Sequence, residues 1–324
     1  MESNECAVEK LVIDLSDTTL TIISPCFNEA DSIRECVART KAAVDSFGTI
    51  KSFEHIFIDN NSTDNSVEVL KELRIDFPHI RILVNSENVG VFRSIRRAIF
   101  DSKGQLVVPF LASDNQDPPE LITKMLKEYS SGSYDSVFGV RKTRLEARYL
   151  LLMRKLFYRL LKWGLGGSYQ SGASEYCLIS REVAIKVASI EDQNPFLRIY
   201  LSKLQGRVKF LDYQMDLRKA GTSSANLFTL VDDALNAFAI AMPSIFSRVL
   251  VLSAIFSVLA LLSGIIGFIS NLFFHKLTLV IVAIVGLTTA ALLVLISFFS
   301  LIGHYIYIVH SEIRKTTIGE TTEV

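Results

Sequence analysis

The stretch Leu20-Thr21-Ile22-Ile23-Ser24-Pro25-Cys26-Phe27-Asn28-Glu29 is an apolar run, a proline stop and a polar loop, and the chain after it repeats that order. Residues 32–47 put Ile33, Val37 and Val44 on one helical face, and residues 53–58 are again apolar. Residues 65–77 turn Val69, Leu70 and Leu73 to one side; strands follow at 80–84 and 105–111, with a helix at 91–101 between them. Pro118-Pro119-Glu120 opens a further helix, proline being suited to a first turn, and residues 136–140 read as another strand. Strands alternating with helices predict an α/β fold with a parallel sheet covered on both faces. Ligands of such sheets bind beyond the carboxyl ends of the strands. Four loops, around Asn28, Asp59, Asn88 and Asp114, therefore share one rim.

Those loops are dense in carboxylates and amides: Asn28-Glu29, then Asp59-Asn60-Asn61-Ser62-Thr63-Asp64, then Asn88-Val89-Gly90, then Ser113-Asp114-Asn115-Gln116-Asp117. A single Asp-rich turn is most often a helix cap or turn former. Four in this order, each after a strand, point to a polar ligand.

The chemistry of the other half is apolar. No charged residue occurs in residues 249–274, and His304 is the one ionisable group of note in 277–309. Both runs exceed the roughly 20 residues that cross a bilayer. Two buried core helices are the alternative, but soluble helices of this length carry a polar face. Arg248 before the first span and Arg314 and Lys315 after the second outweigh Lys276 in the turn, so the domain and both termini are expected in the cytosol. Residues 1–17 lack the basic-then-apolar pattern of a signal peptide. Residues 141–162 hold eight basic residues and one acid among leucines and aromatics, the pattern of a helix lying on an anionic membrane surface; an ordinary surface helix is the alternative. Residues 228–242 are a second amphipathic candidate before Pro243. Formal net charge is zero, which removes the argument for a nucleic-acid partner. The cysteines at 6, 26, 36 and 177 have no metal-ligand spacing and read as free thiols in a reducing compartment.

The order of the rim loops, the string Gln116-Asp117-Pro118-Pro119-Glu120-Leu121, Gly139-Val140-Arg141 with Arg144, and Leu178-Ile179-Ser180-Arg181 together resemble the family 2 glycosyltransferases of the GT-A fold over residues 20 to 220. Within that family the chain is most similar to the polyprenyl-phosphate glycosyltransferases of the dolichyl-phosphate mannosyltransferase and bactoprenol glucosyltransferase type. The resemblance implies an extension at 1–19, a GT-A domain at 20–222, a membrane-proximal helix at 223–247, two spans within 248–310 and a cytosolic tail at 311–324. It implies a sugar transfer from a UDP- or GDP-sugar to a polyprenyl phosphate, in a bacterial or archaeal plasma membrane more than in the endoplasmic reticulum, and a homo-oligomer. Pro25, Asn28, Glu29, Asp59, Asn60 and Ser113 would line the nucleotide pocket, and Arg141 and Arg144 would face phosphate. Asp114 and Gln116 would hold Mg²⁺ or Mn²⁺. Asp114, Glu175 and Asp117 would be the catalytic carboxylates, Glu175 first and Asp117 second as a base for a hydroxyl acceptor.

Four departures stand out. Ala112 replaces the first carboxylate of the family's D-x-D, Asn60 and Asn61 replace an aspartate and a glycine, Cys177 stands for an arginine, and Ser223-Ser224-Ala225 lacks a lysine. They predict weaker metal binding than in relatives with both aspartates, and they keep two other functions open: transfer to another lipid-linked or envelope acceptor, and nucleotide-sugar binding with little catalysis.

Overall fold

Strand β1 (Thr19–Cys26) alternates its apolar residues across the sheet, Ile22 facing one core and Ile23 the other. The chain then runs α1 (Ala30–Phe47), β2 (Ser52–Asp59), α2 (Ser66–Asp76), β3 (Ile80–Asn85), α3 (Val91–Asp101), β4 (Leu106–Val108), α4 (Leu121–Ser130) and β5 (Ser136–Arg141). After it come β6 (Ala173–Ser180), α5 (Arg181–Ala188), β7 (Val208–Tyr213), α6 (Leu227–Phe274), α7 (Leu277–Ile313) and β8 (Thr321–Glu323). This computed structural model describes residues 13–141, 156, 159, 162, 173–190, 207–216, 227–274, 277–313 and 321–323. Arg144, the segment 217–226 and most of the basic stretch 141–162 lie outside them; Leu156, Arg159 and Lys162 are helical and exposed, and Arg141 closes β5.

Residues 1–151, 170–227 and 316–324 form one unit, and residues 152–169 and 228–315 a second. The first holds an eight-stranded sheet in the order β7-β5-β6-β4-β1-β2-β3-β8. Strands β4, β1, β2 and β3 run parallel, as the alternation of strand and helix predicts. The sheet is nevertheless mixed, because β6 is antiparallel to both β4 and β5, and β8 is antiparallel to β3. Sequence alternation reveals helical crossovers and so predicts parallel pairs; β6 and β8 arrive by longer routes. One core lies under α1, α2 and α4, with Leu20, Ile22, Phe57, Val108 and Leu178, and the other under α3 and α5, with Ile23, Ile56, Ile58, Val107 and Ile179. Each such side chain contributes roughly 1.5–3 kcal/mol by leaving water. Cys177 is wholly buried in the second core, and burial pushes its thiol up, so it is a packing residue.

Within the expected cytosolic tail, residues 321–323 reach the sheet edge. Thr321, Thr322 and Glu323 pair with Asn85, Val84 and Leu83, and Arg81 donates from Nε and Nη2 to Glu323 at 3.0 and 3.1 Å. Arg81 Nη1 also donates to Glu54 at 2.8 Å.

In the second unit α6 is one continuous helix, where a membrane-proximal helix and a span were expected as separate elements, and Pro243 lies inside it. Helices α6 and α7 pack antiparallel along a seam of small residues. The Ser253 and Ser297 hydroxyls are 2.6 Å apart, Ser257 donates to the Ala290 carbonyl, and a Cβ on Gly286 would lie 2.8 Å from the Gly264 Cα. Close approach through small residues is how apolar helices associate in lipid. Over the windows Phe246–Ser270 and Val280–Ile306 only 17% is buried, and leucine, isoleucine and phenylalanine side chains face outward. That surface contradicts the buried-core alternative and suits two membrane spans.

Candidate active site at the sheet rim

The antiparallel course of β6 brings its amino end to the rim where β1–β4 end. Ser180 pairs with Leu106 at the start of β4, so Ala173 lies at the other end, beside Val140. Arg141 in turn pairs with Tyr213 at the end of β7. The rim therefore gathers Asn28 and Glu29, Asp59 and Asn60, Asn88, residues 112–120, Arg141, Glu175 and Tyr213.

Between Leu111 and Pro119 exposure alternates residue by residue: 111, 113, 115, 117 and 119 are buried, while 112, 114, 116 and 118 are partly exposed. Each polar residue of the buried set has its own anchor. Ser113 Oγ donates to the Pro25 carbonyl at 3.0 Å, and Asn115 Nδ2 donates to the Ser32 carbonyl at 2.9 Å. Asp117, with no exposed surface, accepts from Arg141 Nη2 at 3.0 Å on Oδ2 and from the Tyr213 hydroxyl at 2.6 Å on Oδ1. The Pro118 carbonyl accepts from Tyr176, and Glu120 accepts a two-pronged bond from Arg39 at 2.9 Å on each oxygen. The outward set then puts Ala112, Asp114 and Gln116 on one face. Asp114 Oδ1 accepts from the Gln116 N–H at 3.0 Å, a turn that Asn115 completes with φ of 61°.

Asparagine is the non-glycine residue best able to take a left-handed backbone. Asn28 (57°), Asn61 (64°) and Asn115 do so in three rim loops, so Asn61 takes a backbone conformation that glycine also adopts. Asn60 uses both halves of its amide. Its Nδ2 donates to Asn88 at 2.7 Å, and its Oδ1 accepts from Val89 N, Ser94 Oγ and Asn85 Nδ2 at 3.0–3.2 Å. An aspartate here would lose the donor that orders the Asn88 loop. Asp59, 1% exposed, accepts from the Ser62 N–H at 2.8 Å and from its hydroxyl, and Asn28 Oδ1 accepts from Thr63 N at 2.8 Å. Glu29 directly precedes α1, and its carboxylate accepts from Ser32 Oγ at 3.0 Å. The first two loops are thus interlocked.

Arg141 faces Asp117 and Tyr213, with its Nε donating to the Tyr213 hydroxyl at 2.9 Å. Burial lifts the Asp117 carboxyl above its ordinary range, against the pull of Arg141 and the bond from Tyr213. Burial works against the Arg141 charge, but Asp117 holds it on the guanidinium. Glu175, 5% exposed, sits where the β5–β6 register shifts, and its charge also bears on Arg141. Irregular pairing of this kind is a way to re-aim side chains at a rim. Tyr213 was not foreseen, since 96 residues separate it from Asp117. Gly139 leaves room for it: a Cβ there would lie 2.8 Å from the Tyr213 ring.

The Glycosyl transferase family 2 profile matches residues 21–188, just over half of the chain. The chain belongs to glycosyl transferase family 2. Its mixed α/β sheet is the GT-A fold. It is 30% identical over 202 residues to the "Uncharacterized glycosyltransferase YkcC" of Bacillus subtilis, covering 62% of this chain and 61% of that one. It is 27% identical to an undecaprenyl-phosphate 4-deoxy-4-formamido-L-arabinose transferase of Shewanella sediminis over 68% of this chain and 67% of that one. The namesake of Edwardsiella ictaluri is 29% identical over 66% and 65%. The match therefore spans about two thirds or less of these relatives. Among solved structures, glucosyl-3-phosphoglycerate synthase of Mycobacterium tuberculosis, crystallised with Mn²⁺ and UDP, aligns at 18% identity over 76% of this chain and 86% of that one, with a TM-score of 0.47. Among the described residues no three His, Cys, Asp or Glu side chains cluster as a ready-made metal cage.

Proposed function

We propose that this membrane-anchored glycosyltransferase moves a sugar from a UDP- or GDP-sugar to a polyprenyl phosphate at the cytosolic leaflet, with inversion at the anomeric carbon. The observation that carries this reading is the presence, in one chain, of an oxygen-donor face at the GT-A rim and of an outward-apolar helix pair. The relatives named for transfer to undecaprenyl phosphate support the acceptor. A two-span topology fits a chain that leaves the first unit after residue 227 and returns to it at residue 316. Arg248, Arg314 and Lys315 then favour the cytosol for that unit.

One acceptor phosphate oxygen bonds to the anomeric carbon as the bond from that carbon to the donor's diphosphate breaks, and the nucleoside diphosphate leaves with the electron pair. Asp114 and Gln116 offer oxygen donors suited to Mg²⁺ or Mn²⁺, which would offset the charge that builds on the diphosphate. With Ala112 in place of a carboxylate, the protein's share of that coordination is small, and the donor phosphates and water would complete it. Pro25, Asn28, Glu29, Asp59, Asn60 and Ser113 shape the nucleotide pocket, Asp59 and Asn60 by setting the loops around it. Arg141 and Arg144 would meet phosphate. A phosphate monoester is largely ionised at neutral pH and needs no strong base. Asp117 is committed on both oxygens and acts by orienting Arg141. Glu175 is then the first candidate base for a hydroxyl acceptor.

The test is the purified full-length chain incubated with polyprenyl phosphate, Mn²⁺ and a panel of UDP- and GDP-sugars, with products read by mass. A sugar-phosphate-polyprenol product with Glu175→Gln retaining most of the turnover supports the reading. Product only with hydroxyl acceptors, or nucleotide binding without turnover across the panel, overturns it.

A further inference from the structure

One anchor of the rim loop reaches beyond the site. Arg39, on the third turn of α1, is 22% exposed at its side chain and bonds three carboxylate oxygens on two residues. Nε and Nη2 each donate to one Glu120 oxygen at 2.9 Å, and Nη2 also donates to Asp216 Oδ2 at 3.0 Å. The Asp216 N–H donates at 2.9 Å to the Gln116 carbonyl. Asp216 is therefore tied to both ends of the segment 116–120, by its backbone at Gln116 and through Arg39 at Glu120. Gln116 is the residue whose side chain shares the outward face with Asp114. Asp216 lies three residues beyond β7 and eleven before α6, so it is the last described residue before the chain leaves for its first apolar helix.

Isolated surface ion pairs add little to stability. This arrangement differs in what it joins. A guanidinium fork fixes direction as well as distance. Without it Glu120 and Asp216 would face each other as like charges, and the Asp216–Gln116 backbone bond would hold the segment against that repulsion.

Resting on the reading that Asp114 and Gln116 hold the donor's cation, we propose that Arg39 is a positioning residue that locks the segment after β7, at Asp216, to the rim loop, so that this tie sets the geometry of the Asp114–Gln116 face. Arg39 touches neither sugar nor phosphate; it acts through the Gln116 and Glu120 backbone.

The experiment titrates Mn²⁺ into full-length protein in detergent with UDP or GDP, reads nucleotide affinity, and takes a melting curve of the same samples. Arg39→Gln is expected to weaken Mn²⁺-dependent nucleotide binding by about tenfold, as sub-ångström misplacement of a site does. Arg39→Lys, a point charge without a fork, and Asp216→Asn should fall between Arg39→Gln and the unsubstituted protein. Arg81→Gln removes a comparable fork from the far sheet edge and serves as the control: its melting temperature falls while its Mn²⁺ midpoint stays. A folded Arg39→Gln with an unchanged Mn²⁺ midpoint, or one shifted no more than Arg81→Gln, overturns the proposal. If Arg39→Gln does not fold, Arg39→Lys and Asp216→Asn decide by the same criterion. Absence of Mn²⁺-dependent nucleotide binding in the unsubstituted protein overturns the proposal together with the functional reading, which separates that failure from failure of Arg39 alone.

Discussion

The rim loop at residues 111–119 and the α6–α7 seam hold their shape by opposite means. In the loop, buried polar groups are anchored by directional bonds to β1, α1, β5, β6 and β7. In the seam, small residues let two backbones approach, with two hydroxyl contacts between Ser253 and Ser297 and from Ser257 to Ala290. Directional bonds to buried groups specify one geometry and cost much when a partner is lost, whereas the hydroxyl contacts of the seam contribute little individually and its shape rests on close backbone approach. Chemistry at a diphosphate needs the first kind of support; residence in a bilayer needs only the second.

The largest effect tests the outward face. Asp114→Ala should lower kcat/KM by about a hundredfold or more, with the melting temperature nearly unchanged because Asp114 is not one of the buried anchors. A fully active Asp114→Ala would break the functional side of the comparison.

Next comes the buried anchor. Arg141→Met leaves Asp117 without its counter-ion and should destabilise the domain by about 3 kcal/mol, read by chemical denaturation. The deficit should shrink as pH falls, because a protonated Asp117 is neutral and burial already raises its carboxyl. A deficit independent of pH would mean that lost packing, not the unpaired charge, dominates.

A smaller effect comes from His55, buried beneath the rim with Nε2 2.9 Å from Ser24 Oγ. Burial, helped by His79, lowers its imidazole to about 3 from 6.5. The folded-state pKa is depressed, so between those values the unfolded chain binds the extra proton and stability falls as pH falls. The slope is about 1.4 kcal/mol per pH unit at most, full stability returning above 6.5. Melting curves between pH 7 and 5 should show this slope, and His55→Gln should flatten it.

The smallest expected change is in the seam. Ser257→Ala, which removes the bond to the Ala290 carbonyl, should weaken the helix pair by about 0.6 kcal/mol, seen as easier separation in detergent, and leave Mn²⁺-dependent nucleotide binding intact. Loss of binding in that variant would show that the two regions are not supported independently.

Much of the rim was legible because strand ends and loop residues are local features. Strands β1–β3 and helices α1–α3 lie where periodicity put them, within one or two residues at most ends, and Asp59, Asn88 and Asp114 come to one edge as the alternation required. The roles within the rim were less legible. Asp117 and Arg141 both read as ligand-facing on a one-dimensional string, which could not tell that they also bond each other. Asn60 and Asn61 looked like losses against the family pattern, yet one is a four-bond hub and the other takes a left-handed turn. Strand β6 reads poorly because it is buried on both faces, so its residues do not alternate, and β8 because three residues make no periodic pattern.

By itself the sequence determined the alternating α/β order, the four polar loops, the two apolar spans and the motif that marks the family, since each is written in neighbouring residues or in a repeat of 2 or 3.6. Only the tertiary structure decided which side of the 111–119 loop faces outward, that Tyr213 meets Asp117 across 96 residues, that Arg39 joins Glu120 to Asp216, and that Thr321–Glu323 closes the sheet beside β3. The reason is physical. Periodicity records what one element buries, while a hydrogen bond between distant segments depends on where the rest of the chain carries each partner, and no local pattern stores that.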